Sequence, residues 1–204
     1  MKKIIIVFIC LLFCVSGFSQ SQIDVRLGFT ASFLGGDYNH QTLRAGGLGG
    51  ITGDIHLGDG VWYLRTGLLY CTKGGIQDIS EYGYKQSFCM NYLELPFQVA
   101  LKFGSKNRKR FCAAYGIFWG YGLAGKMSCN NSDLTTNLFG DEQGDFYKFD
   151  VGEHFDFGVN CNRVYIGLSF SQGHKNILRY TEASSTARTR SLSLNLAITL
   201  KKFD

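Results

Sequence analysis

The chain has 204 residues, with 21 Lys and Arg against 16 Asp and Glu and a formal net charge of +5. That length suits one domain, the charge is too mild to suggest a nucleic-acid partner, and 45% hydrophobic content excludes a bundle of membrane helices. Gly 26, Tyr 11 and Phe 17 against a single Pro is a skewed set that β-barrels share, with aromatic girdles and close strand approach at glycine.

Residues 1–19 read as a cleaved secretory signal peptide. Lys2 and Lys3 start it, Ile4 to Val15 is the apolar run, and Gly17-Phe18-Ser19 offers small residues before a cut at Gln20. The run falls short of the roughly 20 residues a spanning helix needs, and Phe13 is too bulky for a lipoprotein cut at Cys14. Residues 20–204 then form one domain. Losing Lys2 and Lys3 leaves 19 basic against 16 acidic residues, net +3. The seven cysteines become five: Cys71, Cys89, Cys112, Cys129 and Cys161. An odd number leaves at least one unpaired. The reading is small residues packed in or near strands, with a Cys71–Cys89 disulfide as the alternative. No CxxC and no zinc-like Cys/His spacing occurs, so neither metal nor cofactor is expected.

The first predicted strand runs from Asp24 to Leu34, with Val25, Leu27, Phe29, Ala31 and Phe33 on one face. Gly35 to Gly46 is polar and reads as a long loop. The second, Gly47 to Leu57, sets Ile51, Ile55 and Leu57 against Thr52, Asp54 and His56. Gly58-Asp59-Gly60 is a tight hairpin turn. The third, Val61 to Lys73, has Trp62, Leu64, Leu68 and Tyr70 on one side and Arg65 and Lys73 on the other. Gly74 to Ser87 reads as another long loop.

The fourth stretch, Asn91 to Phe103, alternates most strictly. Leu93, Leu95, Phe97, Val99, Leu101 and Phe103 share a face opposite Glu94, Pro96, Gln98, Ala100 and Lys102. This period of two is a strand signal, and about ten tilted residues cross a bilayer. Tyr92-Leu93-Glu94-Leu95-Pro96, running on to Lys102-Phe103, resembles the outer-membrane β-barrel domain family (the porin-family or PorT-like group) of Bacteroides-type Gram-negative bacteria. The resemblance implies a barrel in the cell outer membrane, with lipid and the barrel-assembly machinery as partners. One family member belongs to a protein secretion system, but no residue here selects that role. Proline removes a ladder hydrogen bond, so Pro96 predicts a local bulge or a missing bond.

Gly104 to Lys109 is a short charged turn. The fifth strand, Arg110 to Gly125, alternates bulky Phe111, Ala113, Tyr115, Ile117, Trp119, Tyr121 and Leu123 with small Cys112, Ala114, Gly116, Gly120, Gly122 and Ala124, broken only by Phe118. Lys126 to Asp145 is the longest loop. The sixth, Phe146 to Asn160, sets Phe149, Val151, Phe155, Phe157 and Val159 against Lys148, Asp150, His154 and Asp156, with Glu153 on the wrong face. Cys161-Asn162 turn into the seventh, Arg163 to Gly173. His174 to Thr189 is a loop, and the last strand is Arg190 to Lys202.

The fold class is therefore all-β: an eight-stranded antiparallel up-and-down transmembrane β-barrel. Its odd connections are long and its even ones short, the asymmetry of outer loops and periplasmic turns. A lipocalin-like soluble barrel would turn the apolar face inward. Large residues on every apolar face, opposite charge and glycine, favour lipid outside. Eight strands leave an interior barely wide enough for side chains, where acids and bases must pair. The predicted lumen network is Asp54, Arg65, Glu94, Lys102, Lys148, Asp150, His154 and Asp156. The predicted membrane-interface aromatics are Trp62, Tyr70, Phe103, Phe111, Trp119, Tyr121 and Phe157.

No catalytic site is expected: there is no GxSxG elbow and no phosphate loop, and His56 and His154 near aspartates are common by chance. The expected function is non-enzymatic, a structural or surface-interaction role through long extracellular loops. The alternatives are a narrow solute channel, a secretion-complex barrel or, less readily, a lipid-modifying enzyme.

Overall fold

The computed structural model describes residues 21–36, 41–58, 60–79, 84–104, 109–129, 132–139, 146–179 and 186–203. The signal-peptide segment lies outside them. Among the described residues ten strands occur: β1 (Gln22–Gly36), β2 (Gln41–Thr42), β3 (Arg44–His56), β4 (Trp62–Ile79), β5 (Tyr84–Gly104), β6 (Lys109–Cys129), β7 (Ser132–Asn137), β8 (Phe149–Cys161), β9 (Val164–Gly173) and β10 (Ala187–Lys202). Eight of them close a ring. The sheet path β4-β3-β1-β10-β9-β8-β6-β5 is sealed by β4 pairing with β5, and the ring pairs are antiparallel. The order is up-and-down because each alternating run pairs with the next one along the chain. Short β2 and β7 only extend the wall, on β4 and β6. No helix among the described residues is long and apolar enough to cross a membrane; the strands do the crossing.

Side chains are distributed inside-out relative to a soluble barrel. Leu27, Phe29, Ile51, Phe97, Phe155, Ile166, Leu194 and Ile198 are exposed on the outer wall, while Asp54, Arg65, Asp150 and Asp156 are buried within. The lipocalin-like polarity is thereby excluded. An outer apolar surface on every strand would be intolerable in water, and it matches hydrocarbon.

Several boundaries differ from expectation. Gly74 to Ser87 is not a loop: β4 and β5 stay paired up to Ile79↔Tyr84. β10 starts at Ala187, and β6 continues to Cys129. Phe146 is not in β8; it makes an isolated bridge to Leu178. Ala124 is exposed, not inward. The register slips between Asn91 and Tyr92, which pair with Ala124 and Gly122, and this one-residue bulge flips the parity of β6 so that Gly125 points in. At Pro96 no bulge forms. The β4–β5 register is the same on both sides, Thr66↔Phe97 and Leu69↔Glu94, but the two intervening pairs are missing, as a residue without an N–H requires. Cys71 faces inward and Cys89 lies on the opposite parity of its strand, and all five described cysteines are free, so the Cys71–Cys89 alternative is overturned.

Candidate functional site

The lumen holds two charged clusters whose ions come from the inward parity of five strands. In the first, Arg65 on β4 grips Asp54 on β3 with both carboxylate oxygens engaged, Nε to Oδ1 at 2.7 Å and Nη2 to Oδ2 at 3.0 Å. Its Nη1 reaches Asp156 Oδ2 on β8 at 3.0 Å. Arg26 on β1 and the Tyr165 hydroxyl on β9 also donate to Asp156. Lys102 on β5 sits 2.6 Å from Asp54 Oδ2, and Arg65 Nη2 lies 3.2 Å from Cys112 Sγ. Toward the long-connection end, Lys73 Nζ is 2.5 Å from Glu94 Oε1 and 4.1 Å from the Phe118 ring centroid. Nearby, Thr189 donates to Asp150 Oδ2 at 2.6 Å.

Arg26, Arg65, Lys73 and Lys102 thus face Asp54, Asp150, Asp156 and Glu94, all buried. Buried ions are tolerable only when paired and hydrogen-bonded; these eight match four against four, and Asp24, also buried, accepts from Gln22 Nε2 at 2.8 Å toward the short-turn end. The glycines follow from the same crowding. A Cβ at Gly167 would lie 2.2 Å from the Tyr165 hydroxyl, and one at Gly173 would lie 2.7 Å from Asp150 Oδ1. Replacing Tyr165 by Phe deletes one donor to a buried carboxylate. The expected cost is about 2 kcal/mol, read as a lower urea midpoint for unfolding from lipid vesicles.

Of the residues predicted for the lumen, Asp54, Arg65, Glu94, Lys102, Asp150, His154 and Asp156 are buried together. Lys148 is not among them. It is half-buried in the bend before β8, where its carbonyl accepts from Gly122 N at 2.6 Å. Neither ring nitrogen of His154 has a hydrogen-bond partner among the described residues. His56 Nε2 contacts the Gly60 carbonyl at 2.8 Å, at the short-turn end. No described cluster of three or more His, Cys, Asp or Glu could hold a metal ion. Arg26, Lys73, Tyr165 and Cys112 belong to the network but were not singled out. Trp62, Tyr70, Phe103, Phe111, Trp119, Tyr121 and Phe157 are all exposed on the outer wall, with Phe103 and Phe111 stacked at 5.8 Å. Glu153, on the apolar parity, pairs with His174 Nε2 at 3.0 Å just beyond the end of β9.

Above the charges, the long-connection end is closed by an apolar plug. Leu138, Phe139, Phe146, Ile177 and Leu178 fold in from the connections and pack on Leu34, Leu48, Leu69, Phe88, Met90 and Tyr92 of the wall. Backbone bonds tie them down: Leu138 N to Gly125 O, Tyr147 N to Ile177 O and Ile177 N to Ala187 O. The Asn176 side-chain oxygen accepts from both Leu178 N and Ala187 N.

A family model described as "Outer membrane protein beta-barrel domain" matches residues 18–179. The chain belongs to that family. Membership and the outward apolar wall place the protein in the outer membrane, and the long connections of such barrels face outward. No curated protein matches the sequence. Among solved structures, Neisserial surface protein A has a TM-score of 0.51 at 10% identity, over 88% of this chain and 99% of that one. Ail of Yersinia pestis gives 0.47 at 10% identity, over 90% and 100%. The outer membrane protein OprG of Pseudomonas aeruginosa gives 0.40 at 10% identity, over 89% and 94%. The first supports the barrel fold and nothing finer.

Proposed function

We propose that the protein is a non-enzymatic, non-conducting outer-membrane barrel that acts through its outward end as a structural or surface-interaction element. The filled lumen carries this reading. A water path would have to pass both the plug around Phe139 and the Arg65–Asp54–Asp156–Arg26 cluster. Eight-stranded barrels leave an interior that side chains fill, which favours this role over a narrow solute channel. Planar-bilayer recordings of the refolded protein should show no conductance steps, and reproducible steps would end this reading. Membership of the PorT-like, Bacteroides-type group, or a place beside a secretion complex, rests on the Tyr92-Leu93-Glu94-Leu95-Pro96 resemblance alone.

His154 and His56 supply the only hint of chemistry, and neither has a carboxylate within hydrogen-bonding distance among the described residues. Lipid profiles of outer membranes carrying His154→Ala or His56→Ala should match the wild type. Expected partners are outer-membrane lipid, the barrel-assembly machinery and a surface or secretion-complex protein. A tag in the β6–β8 connection, followed by pull-down from outer membranes, tests the last of these.

A further inference from the structure

The short-turn end of the barrel carries a group of exposed cations. At the short-turn end, Lys109 at the start of β6, Arg163 in the β8–β9 turn, and Lys201 and Lys202 at the end of β10 are all exposed. The register gathers them on one side. Lys109 pairs with Cys161, and Cys161 with Val164. Thr199 N donates to the Arg163 carbonyl at 2.8 Å, and Lys202 Nζ donates to the Asn162 carbonyl at 3.1 Å. Among the described residues no acidic side chain is exposed at this end. Asp24 there is buried, and Asp59 and Asp204 lie outside the described residues.

The position of these cations relative to the lipid-facing wall is the second observation. Each follows or precedes an outward apolar residue by one or two positions: Lys109 before Phe111, Arg163 before Val164, and Lys201 after Leu200. Phe111 stacks on Phe103, and Lys201 Nζ lies 4.6 Å from the Phe203 ring centroid. Trp62 is exposed on the outer wall at this same end, and aromatic girdles mark the interfaces of such barrels, so the cations lie one step beyond the hydrocarbon edge, at the depth of lipid phosphates. A site for a soluble partner would not need to be aligned with the edge of the apolar wall.

We propose that Lys109, Arg163, Lys201 and Lys202 form a binding surface for anionic phospholipid headgroups of the periplasmic leaflet, anchoring this side of the barrel and fixing its depth. Basic clusters next to a membrane recognise anionic lipid electrostatically, and flexible Lys and Arg stems can reach outward from the wall.

The test uses the mature chain refolded into vesicles of mixed phosphatidylcholine and phosphatidylglycerol, extracted gently, with co-purifying lipid measured by native mass spectrometry. Wild type should retain phosphatidylglycerol preferentially. The Lys109→Gln/Arg163→Gln/Lys201→Gln/Lys202→Gln variant should lose that preference by at least about fivefold at low salt, the effect expected for one juxtamembrane cation, and added salt should shrink the preference. The smaller Lys201→Gln/Lys202→Gln variant carries the same test if the larger one folds poorly, with heat-modifiable gel mobility checking both. Lys126→Gln/Arg188→Gln, exposed at the opposite end, should leave the preference intact. Equal retention by wild type and the charge-neutralised variants overturns the proposal, as does equal loss from the opposite-end control. A wild-type preference for soluble polyanion without lipid discrimination would also overturn it, pointing to an acidic periplasmic polymer.

Discussion

Replacing Arg65 by methionine is expected to cost the barrel about 3–5 kcal/mol, measured as the shift in urea unfolding from lipid vesicles. Arg65 alone contacts both Asp54 and Asp156. Its loss leaves two buried carboxylates to Lys102 and Arg26 and adds one uncompensated negative charge to the lumen. The penalty comes from the uncompensated ion, not from the hydrogen bonds as such. A double replacement, Arg65→Met with Asp54→Asn, restores the net charge of the lumen and should therefore be more stable than Arg65→Met alone by more than about 1 kcal/mol, a coupling of the size neighbouring charges show. If the two losses simply added, the network would be an incidental set of contacts, and the argument from charge balance would fail.

The wall was legible in the sequence because a bilayer imposes one rule on every strand. From Leu93 to Phe103 each second residue must suit hydrocarbon, so the alternation itself identifies the outward face. Where that constraint ends, the signal ends. β4 and β5 remain paired from Gly74↔Cys89 to Ile79↔Tyr84, yet this stretch shows no apolar alternation, as expected of a part of the hairpin that rises past the lipid. Arg26 and Lys73 had the right parity, but pairing across a lumen joins strands far apart in the chain, as Arg26 does with Asp156, and no local spacing reports it. The parity flip at Ala124 arises from a single extra residue opposite Asn91 and Tyr92, which alternation counting passes over. Glu153 looked misplaced because its partner, His174, lies in what read as a loop. Leu138, Phe139, Ile177 and Leu178 were hidden for a related reason. They are two short apolar pairs in polar connections, and only the closed ring supplies the surface they bury against.

Phe139→Ala should remove the centre of the plug without opening a pore. The ring packs edge-on to Tyr92 at 5.7 Å and lies against Gly122 and Gly125, where an added Cβ would come within 2.6 and 3.0 Å of it. Truncating a buried Phe costs roughly 3–5 kcal/mol where the site cannot collapse, and a barrel mouth can relax, so about 3 kcal/mol is expected. The readout is faster proteolytic cleavage within the β6–β8 connection in intact vesicles. Planar-bilayer currents should stay absent, because the Arg65–Asp54–Asp156 cluster still fills the lumen below. The wall glycines separate packing from composition. Gly122→Ala drives a methyl into the Phe139 ring and should speed cleavage in the same way, at a cost of about 1–3 kcal/mol. Gly120→Ala, two residues earlier on the same face, meets Tyr92 at 3.4 Å and Asp150 at 3.7 Å; those are ordinary contacts, so cleavage should proceed at the wild-type rate. Equal sensitivity of the two alanine variants would mean that the ring is not seated on Gly122, and that the mouth is closed by something other than this packing.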